Sequence, residues 1–106
     1  MHLGSLRMLG YLGKSNIKHI MLNNNSHESV GGQTTTAAGI DFKNLVTSLG
    51  YKNYFKLSKK KDFSSGITKF LKSKGPSFLE VLIAIGTLNN LKRPNNLIKI
   101  KKIFMK

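Results

Sequence analysis

No cysteine occurs among the 106 residues, which excludes a disulfide scaffold, a thiolate metal centre and thiol nucleophilic catalysis. Acidic residues are almost as scarce. Four Asp and Glu stand against 18 Lys and Arg, so the formal net charge is +14 and the isoelectric point is near 10.3. No apolar run approaches the roughly 18 to 20 residues that a membrane span requires. The first residues, Met1-His2-Leu3-Gly4-Ser5-Leu6-Arg7, lack the apolar core of a secretory signal. These absences predict a cytoplasmic, soluble protein with no membrane partner. The length suits one small domain or a piece of a larger one, burying roughly two-thirds of its unfolded surface in a single core.

What is abundant is lysine. A basic chain attracts phosphate backbones through counterion release whatever its fold, so a small basic nucleic-acid-binding protein is one reading. Against it, Lys14, Lys18, Lys43, Lys52, Lys56, Lys69, Lys72 and Lys74 are scattered over several segments. Denser runs occur only at Lys59-Lys60-Lys61 and between Lys99 and Lys106. No aromatic stripe alternates with them as a stacking platform requires, and no zinc-finger or RNA-recognition motif is present. Lys, Asn and Ile are abundant together, as codons rich in A and T produce. The expectation is therefore no specific nucleic-acid partner.

Periodicity predicts alternating helices and strands. Leu3, Leu6, Met8, Leu9 and Leu12 form a near-helical apolar stripe over residues 2–13, interrupted by Gly4 and Gly10. Ile17 to Leu22 has the length and composition of a buried strand. Asn23 to Gly39 is polar and glycine-rich, too punctuated for regular structure, and loops this long in compact domains are usually functional or disordered. Asp41 is placed to N-cap a helix with Phe42, Leu45, Val46 and Leu49 on one face, closed by Gly50. Tyr51 to Leu57 reads as a second strand. Asp62 is placed to cap a helix carrying Phe63, Ile67, Phe70 and Leu71, which Gly75-Pro76 ends. Ser77 to Ile85 is the strongest strand candidate, and a last helix is expected near Leu97 to Phe104. This order predicts an α/β layer with a mostly parallel three-stranded sheet and flanking helices. Three parallel strands are few, because such a sheet needs both faces covered and its edges protected. The pattern is that of the C-terminal half of a larger α/β domain, with residues 87–106 a basic tail.

The segment with chemical content runs from Leu22 to Gln33: Leu-Asn-Asn-Asn-Ser-His-Glu-Ser-Val-Gly-Gly-Gln. It begins where the first strand ends, and in open α/β sheets ligands bind beyond the carboxyl ends of the strands. Asparagine supplies neutral oxygens suited to Mg²⁺, whose shell is completed by phosphate and water oxygens. Ser29 and Gly31-Gly32 permit tight turns whose N–H groups can face an anion. The plain alternative is a polar loop with a glycine hinge.

As a string, the segment closely resembles the phosphonopyruvate decarboxylase branch of the thiamine-diphosphate-dependent enzymes. There Asn-Asn is likewise followed by His-Glu-Ser-Val-Gly-Gly-Gln. Met1 to Leu6, Ile40-Asp41-Phe42, Leu49-Gly50-Tyr51 and Gly75 to Val81 extend the resemblance over essentially the whole chain. The β subunit of sulfopyruvate decarboxylase shares Gly-Gly-Gln but differs just before it. The resemblance implies a domain binding thiamine diphosphate and Mg²⁺, with Asn24 giving a side-chain oxygen and Ser26 a main-chain oxygen to the metal. His27 and Glu28 would join them in cofactor binding, and no catalytic residue is assigned. It implies phosphonopyruvate, or another 2-oxo acid, as substrate, with release of CO₂ and phosphonoacetaldehyde while the cofactor acts as electron sink.

The chain departs from the family pattern in one consequential respect. The family carries a Gly-Asp-Gly upstream of its Asn-Asn, and no such tripeptide occurs in these residues. The resemblance therefore implies weak metal and cofactor binding by this chain alone, no activity alone, and a need for the rest of the enzyme or a partner subunit. The rival reading within the same fold is an inactive remnant or interaction module. Asn25-Ser26 stands where relatives have Gly-Ala, and Thr34 replaces a proline.

Other polar residues carry plainer expectations. Glu28 is expected to orient His27 or cap the following turn, and Gln33 to pin the loop. His2 and His19 are expected to serve structure, Asp41 and Asp62 to cap helices, and Glu80, inside a strand, to be paired or exposed. The Leu97 to Lys106 tail is both apolar and basic, but its apolar residues form no single clean helical face, which favours docking on the domain or fraying over a membrane-surface role.

Overall fold

A computed structural model describes residues 3–86, 90 and 96–105. The main sheet is three-stranded and parallel, in the order β1 (Lys18–Asn23), β5 (Ser77–Leu82), β4 (Asn53–Leu57). Helices α1 (Leu3–Leu12), α2 (Phe42–Ser48) and α3 (Phe63–Lys72) accompany it, and α4 (Leu97–Phe104) follows. The most continuous apolar run of the sequence, Phe78 to Ile83, thus supplies the central strand. That is where both faces and both edges are covered and no polar alternation is needed.

Each face of the sheet has its own core. On one side Leu57, Phe70, Leu79 and Val81 are buried together, with Phe55 and Phe63 packed against them, so α3 covers β4 and β5. On the other side Val46, Tyr51 and Phe78 are buried, joined by Leu6, Leu9, Met21, Leu49 and Tyr54, so α1 and α2 cover that face. Two glycines make these contacts close. A Cβ at Gly10 would lie 2.1 Å from the Leu49 carbonyl oxygen, and one at Gly66 would lie 2.4 Å from a Leu57 methyl. Gly10, which interrupts the apolar stripe in sequence, is therefore the point at which α1 meets the end of α2, and the Arg7 guanidinium donates to that same Leu49 carbonyl at 3.2 Å.

The α/β expectation holds, with local differences. Asp41 caps α2 as expected, its Oδ1 accepting from the Asn44 amide at 3.0 Å. Asp62 does not cap α3. It has helical dihedrals and its side chain makes no capping bond, because the chain enters α3 through a short 3₁₀ turn, Lys60–Asp62, that already aligns the backbone. The Asn23 to Gly39 stretch is more regular than its composition suggests. Ser26–His27 (β2) and Gln33–Thr34 (β3) pair as a small antiparallel ribbon around a 3₁₀ turn at Glu28–Val30, and a second such turn spans Thr36–Gly39. The central strand ends at Leu82 rather than Ile85, although the Ile83 amide still donates to Asn23 at 3.0 Å. Helix α4 is N-capped by Asn96 and its residues are exposed. His2 and most of residues 87–95 lie outside the described residues.

Candidate functional site

The site is built where β1 ends. Asn23 closes the strand and its Oδ1 accepts the Asn25 amide at 3.0 Å. Asn24 repeats the pattern one residue on, its Oδ1 accepting the Ser26 amide at 3.0 Å. Two successive side-chain turns of this kind reverse the chain sharply, which is why asparagine suits both places. Asn25 sits between them with φ +55°, in the left-handed region that asparagine tolerates better than most residues. Its carbonyl oxygen accepts from the Thr35 amide at 2.9 Å, and the Ser26 hydroxyl donates to Gly32 at 3.2 Å, so the ribbon is held back against the strand end.

A cleft of about 280 Å³ opens at this point, lined among others by Asn23, Asn24, Ser26, His27, Thr35 and Phe42. Three of the four residues expected to bind cofactor, Asn24, Ser26 and His27, therefore face one space. Glu28 does not line it. Its carboxylate accepts from Asn24 Nδ2 at 2.5 Å through Oε2 and from the Gly86 amide at 2.6 Å through Oε1. It neither orients His27 nor caps the following turn, whose N-cap residue is His27 and has no side-chain cap bond. The expected plain roles fail because two donors outside the turn claim both carboxylate oxygens. A larger groove of about 670 Å³ lies along α1, lined by Leu3, Gly4, Ser5, Met8, Leu9 and Leu12. It presents no titratable side chain, so it is a face for packing rather than for chemistry.

The donor set of the cleft matches one share of a Mg²⁺–diphosphate site. Asn24 Oδ1 keeps a lone pair beyond its bond to Ser26, the Ser26 carbonyl is a second neutral oxygen, and hard cations accept both types. The buried Asn25 Oδ1 has no hydrogen-bond partner, a further oxygen in the same turn without a donor. The one acidic side chain of the loop, Glu28, does not line the cleft, and each of its oxygens accepts a hydrogen bond from another group. Among the described residues no three His, Asp or Glu side chains gather to hold a metal. The residues fit the neutral-oxygen part of such a site, to which a bound diphosphate would bring negative charge.

Two polar clusters behind the cleft escaped the sequence reading in part. His19 is structural, as expected. Its Nδ1 lies 2.9 Å from the Tyr51 hydroxyl and its ring packs 4.8 Å from that of Phe78, and burial holds its pKa below 6.5. Glu80, 2% exposed in the central strand, is paired. The Tyr54 hydroxyl donates to it, and Lys56 Nζ lies 3.3 Å from the same oxygen. Burial, and then the hydrogen bond to Glu80, push the Tyr54 phenol above its ordinary range. The register Lys56↔Glu80 could be found in sequence only by knowing that β4 and β5 are neighbours. Gly86, the partner of Glu28, carries no sequence signal beyond being a glycine after a strand.

Among known families, residues 1–81 match the one described as thiamine pyrophosphate enzyme, C-terminal TPP binding domain. A phosphonopyruvate decarboxylase of Streptomyces viridochromogenes is 32% identical over 94 residues, which is 89% of this chain and 24% of that protein. A phosphonopyruvate decarboxylase of Streptomyces hygroscopicus is 30% identical over 94 residues, again 89% of this chain and 23% of the relative. The chain thus spans about a quarter of the length of the curated relatives it matches.

Proposed function

We propose a function from one premise: the chain belongs to the thiamine pyrophosphate enzyme family, through its C-terminal TPP-binding domain. On that premise it forms the diphosphate and metal side of the cofactor site in a 2-oxo-acid decarboxylase whose substrate is phosphonopyruvate. The observation that carries this reading is the cleft at the end of β1, bounded by Asn24, Ser26 and His27 in a chain of that family. Asn24 Oδ1 and the Ser26 carbonyl would hold Mg²⁺, whose charge would anchor the diphosphate. His27 faces the same cleft and would offer an imidazole N–H to a phosphate oxygen. Bound thiamine diphosphate supplies the electron sink for the pair released when the substrate carboxylate leaves as CO₂. Residues 1–106 act as part of a domain, with 87–106 a basic tail, and the protein works in the cytoplasm.

The chain works with a polypeptide that supplies the remaining parts of the enzyme. Two features support this. Among the described residues no strand lies beside the outer edge of β1, an arrangement that invites strand addition. On the face covered by α3 elsewhere, Ile20 is 52% and Leu22 66% exposed. A parallel strand alongside β1, with a helix over Ile20 and Leu22, completes both the layer and the site.

The test is coexpression with a phosphonopyruvate decarboxylase deleted for the stretch this chain matches. The expected result is a complex that releases CO₂ from phosphonopyruvate only with thiamine diphosphate and Mg²⁺. Asn24→Ala in this chain is expected to weaken cofactor-dependent activity by roughly tenfold or more. A complex that forms but neither binds thiamine diphosphate nor turns over phosphonopyruvate overturns the proposal.

A further inference from the structure

We infer that Glu28 is a positioning residue: it sets the orientation of the Asn24 carboxamide and clasps the β1 loop to the exit of β5. The inference rests on Asn24 being the side-chain cation ligand of the proposed function. A carboxamide has two orientations that differ only in which end carries the oxygen. With Nδ2 donating to Glu28 at 2.5 Å, Oδ1 is turned to the other end, where it accepts the Ser26 amide at 3.0 Å. The reversed orientation would set Oδ1 against a carboxylate and Nδ2 against an N–H donor, two repulsive contacts in place of two attractive ones. Glu28 thus decides which Asn24 atom sits at the turn.

The second oxygen explains why the residue is an acid and not its amide. Oε1 accepts the Gly86 amide at 2.6 Å, across 58 residues of sequence. Two donors therefore converge on one side chain, and a carboxylate is acceptor-only at both oxygens. Glutamine would satisfy one donor and present its own N–H₂ to the other. Both bonds are charge-assisted and join the ends of neighbouring strands. Because Glu28 is exposed, the consequence is orientation of the loop rather than overall stability.

The experiment uses the 106-residue chain and side-chain amide NMR. In the wild type, one Asn24 Nδ2 proton and the Gly86 amide are expected to be shifted downfield and slow to exchange. Glu28→Ala and Glu28→Gln are expected to abolish at least one of these signatures while the β1, β4 and β5 resonances stay in place. Asn24→Asp combined with Glu28→Gln is expected to restore the Gly86 signature, since the introduced amide then donates to residue 24 and accepts from Gly86. Unmoved Asn24 and Gly86 signals in Glu28→Ala overturn the inference. Paramagnetic broadening by Mn²⁺ with inorganic diphosphate separates this from the underlying reading. Broadening of Asn24 and Ser26 at Mn²⁺ concentrations roughly 10- to 100-fold lower in the wild type than in Glu28→Ala supports positioning, and equal broadening in both overturns it. No broadening in the wild type, with Asn24 and Gly86 still moved by the substitution, counts against the metal reading and for the clasp.

Discussion

Strands β1 and β5 are each six residues long, lie side by side in parallel and carry comparable apolar content, yet their surroundings are opposite. Ser77 to Val81 of β5 are all buried, whereas no residue of β1 is. The register shows how sharp the boundary is. Leu79 is 2% exposed and its neighbour Ile20 is 52%; Val81 is 6% exposed and its neighbour Leu22 is 66%. Strand β1 is nevertheless covered on its other face, where Met21 packs into the cluster of Val46, Tyr51 and Phe78. Burial here follows position in the layer and not hydrophobicity of the segment. The strand is apolar on both faces, and among the described residues its Ile20 and Leu22 face is left exposed.

The largest effect expected from this contrast is at the sheet centre. Leu79→Ala should cost about 2 to 5 kcal/mol in chemical denaturation, as a cavity in a closed core does. Leu22→Ala, on the same face one strand away, should stay within about 0.5 kcal/mol for the free chain. Equal losses would break the contrast. A loss at Leu22 that grows when the complementing polypeptide is bound would sharpen it.

The cover on the opposite face offers the next test. Gly10→Val places carbon against the Leu49 carbonyl and must lift α1 from α2, at about 1 to 3 kcal/mol. Hydrogen exchange of the His19 and Met21 amides would show whether β1 then loses its remaining cover. A smaller comparison contrasts two aspartates. Asp41→Ala removes a side-chain cap and should cost about 0.5 to 2 kcal/mol, while Asp62→Ala removes no capping bond and should be close to neutral in the same thermal melt.

The smallest effect is a pH dependence on the covered face of β1. Burial lowers the folded-state pKa of His19 below 6.5, so the unfolded chain binds the proton first as pH falls. Its contribution to stability is complete above 6.5 and is lost as pH drops from 6.5 through the folded value. His19→Gln should flatten that part of the melting-temperature profile relative to the wild type. An unchanged profile would mean that the imidazole titrates alike in the folded and unfolded chains.

Much of this was legible residue by residue. The helix of Phe42, Leu45 and Val46 behind an Asp cap, and the apolar run from Phe78, are local patterns, and local patterns survive into the fold. The polar loop that begins where β1 ends was legible too, but the two asparagine-closed turns at its start emerged only in the structure. The 3₁₀ entry that makes Asp62 redundant as a cap was not legible, nor was the short ribbon inside the Asn23 to Gly39 loop. Both depend on hydrogen bonds between segments whose composition alone reads as irregular.

The sequence by itself determined the strand and helix order, the position of a polar loop at the end of β1, and the basic, cysteine-free character of the chain. These follow from periodicity, side-chain chemistry and charge, which are properties of neighbouring residues. Only the tertiary structure decided that β5 lies between β1 and β4, that Glu80 meets Lys56 and Tyr54, and that Glu28 reaches Gly86. Those pairings join residues that are distant in the chain. Which of them form is settled by how sheet and helices pack together, and no local pattern encodes that.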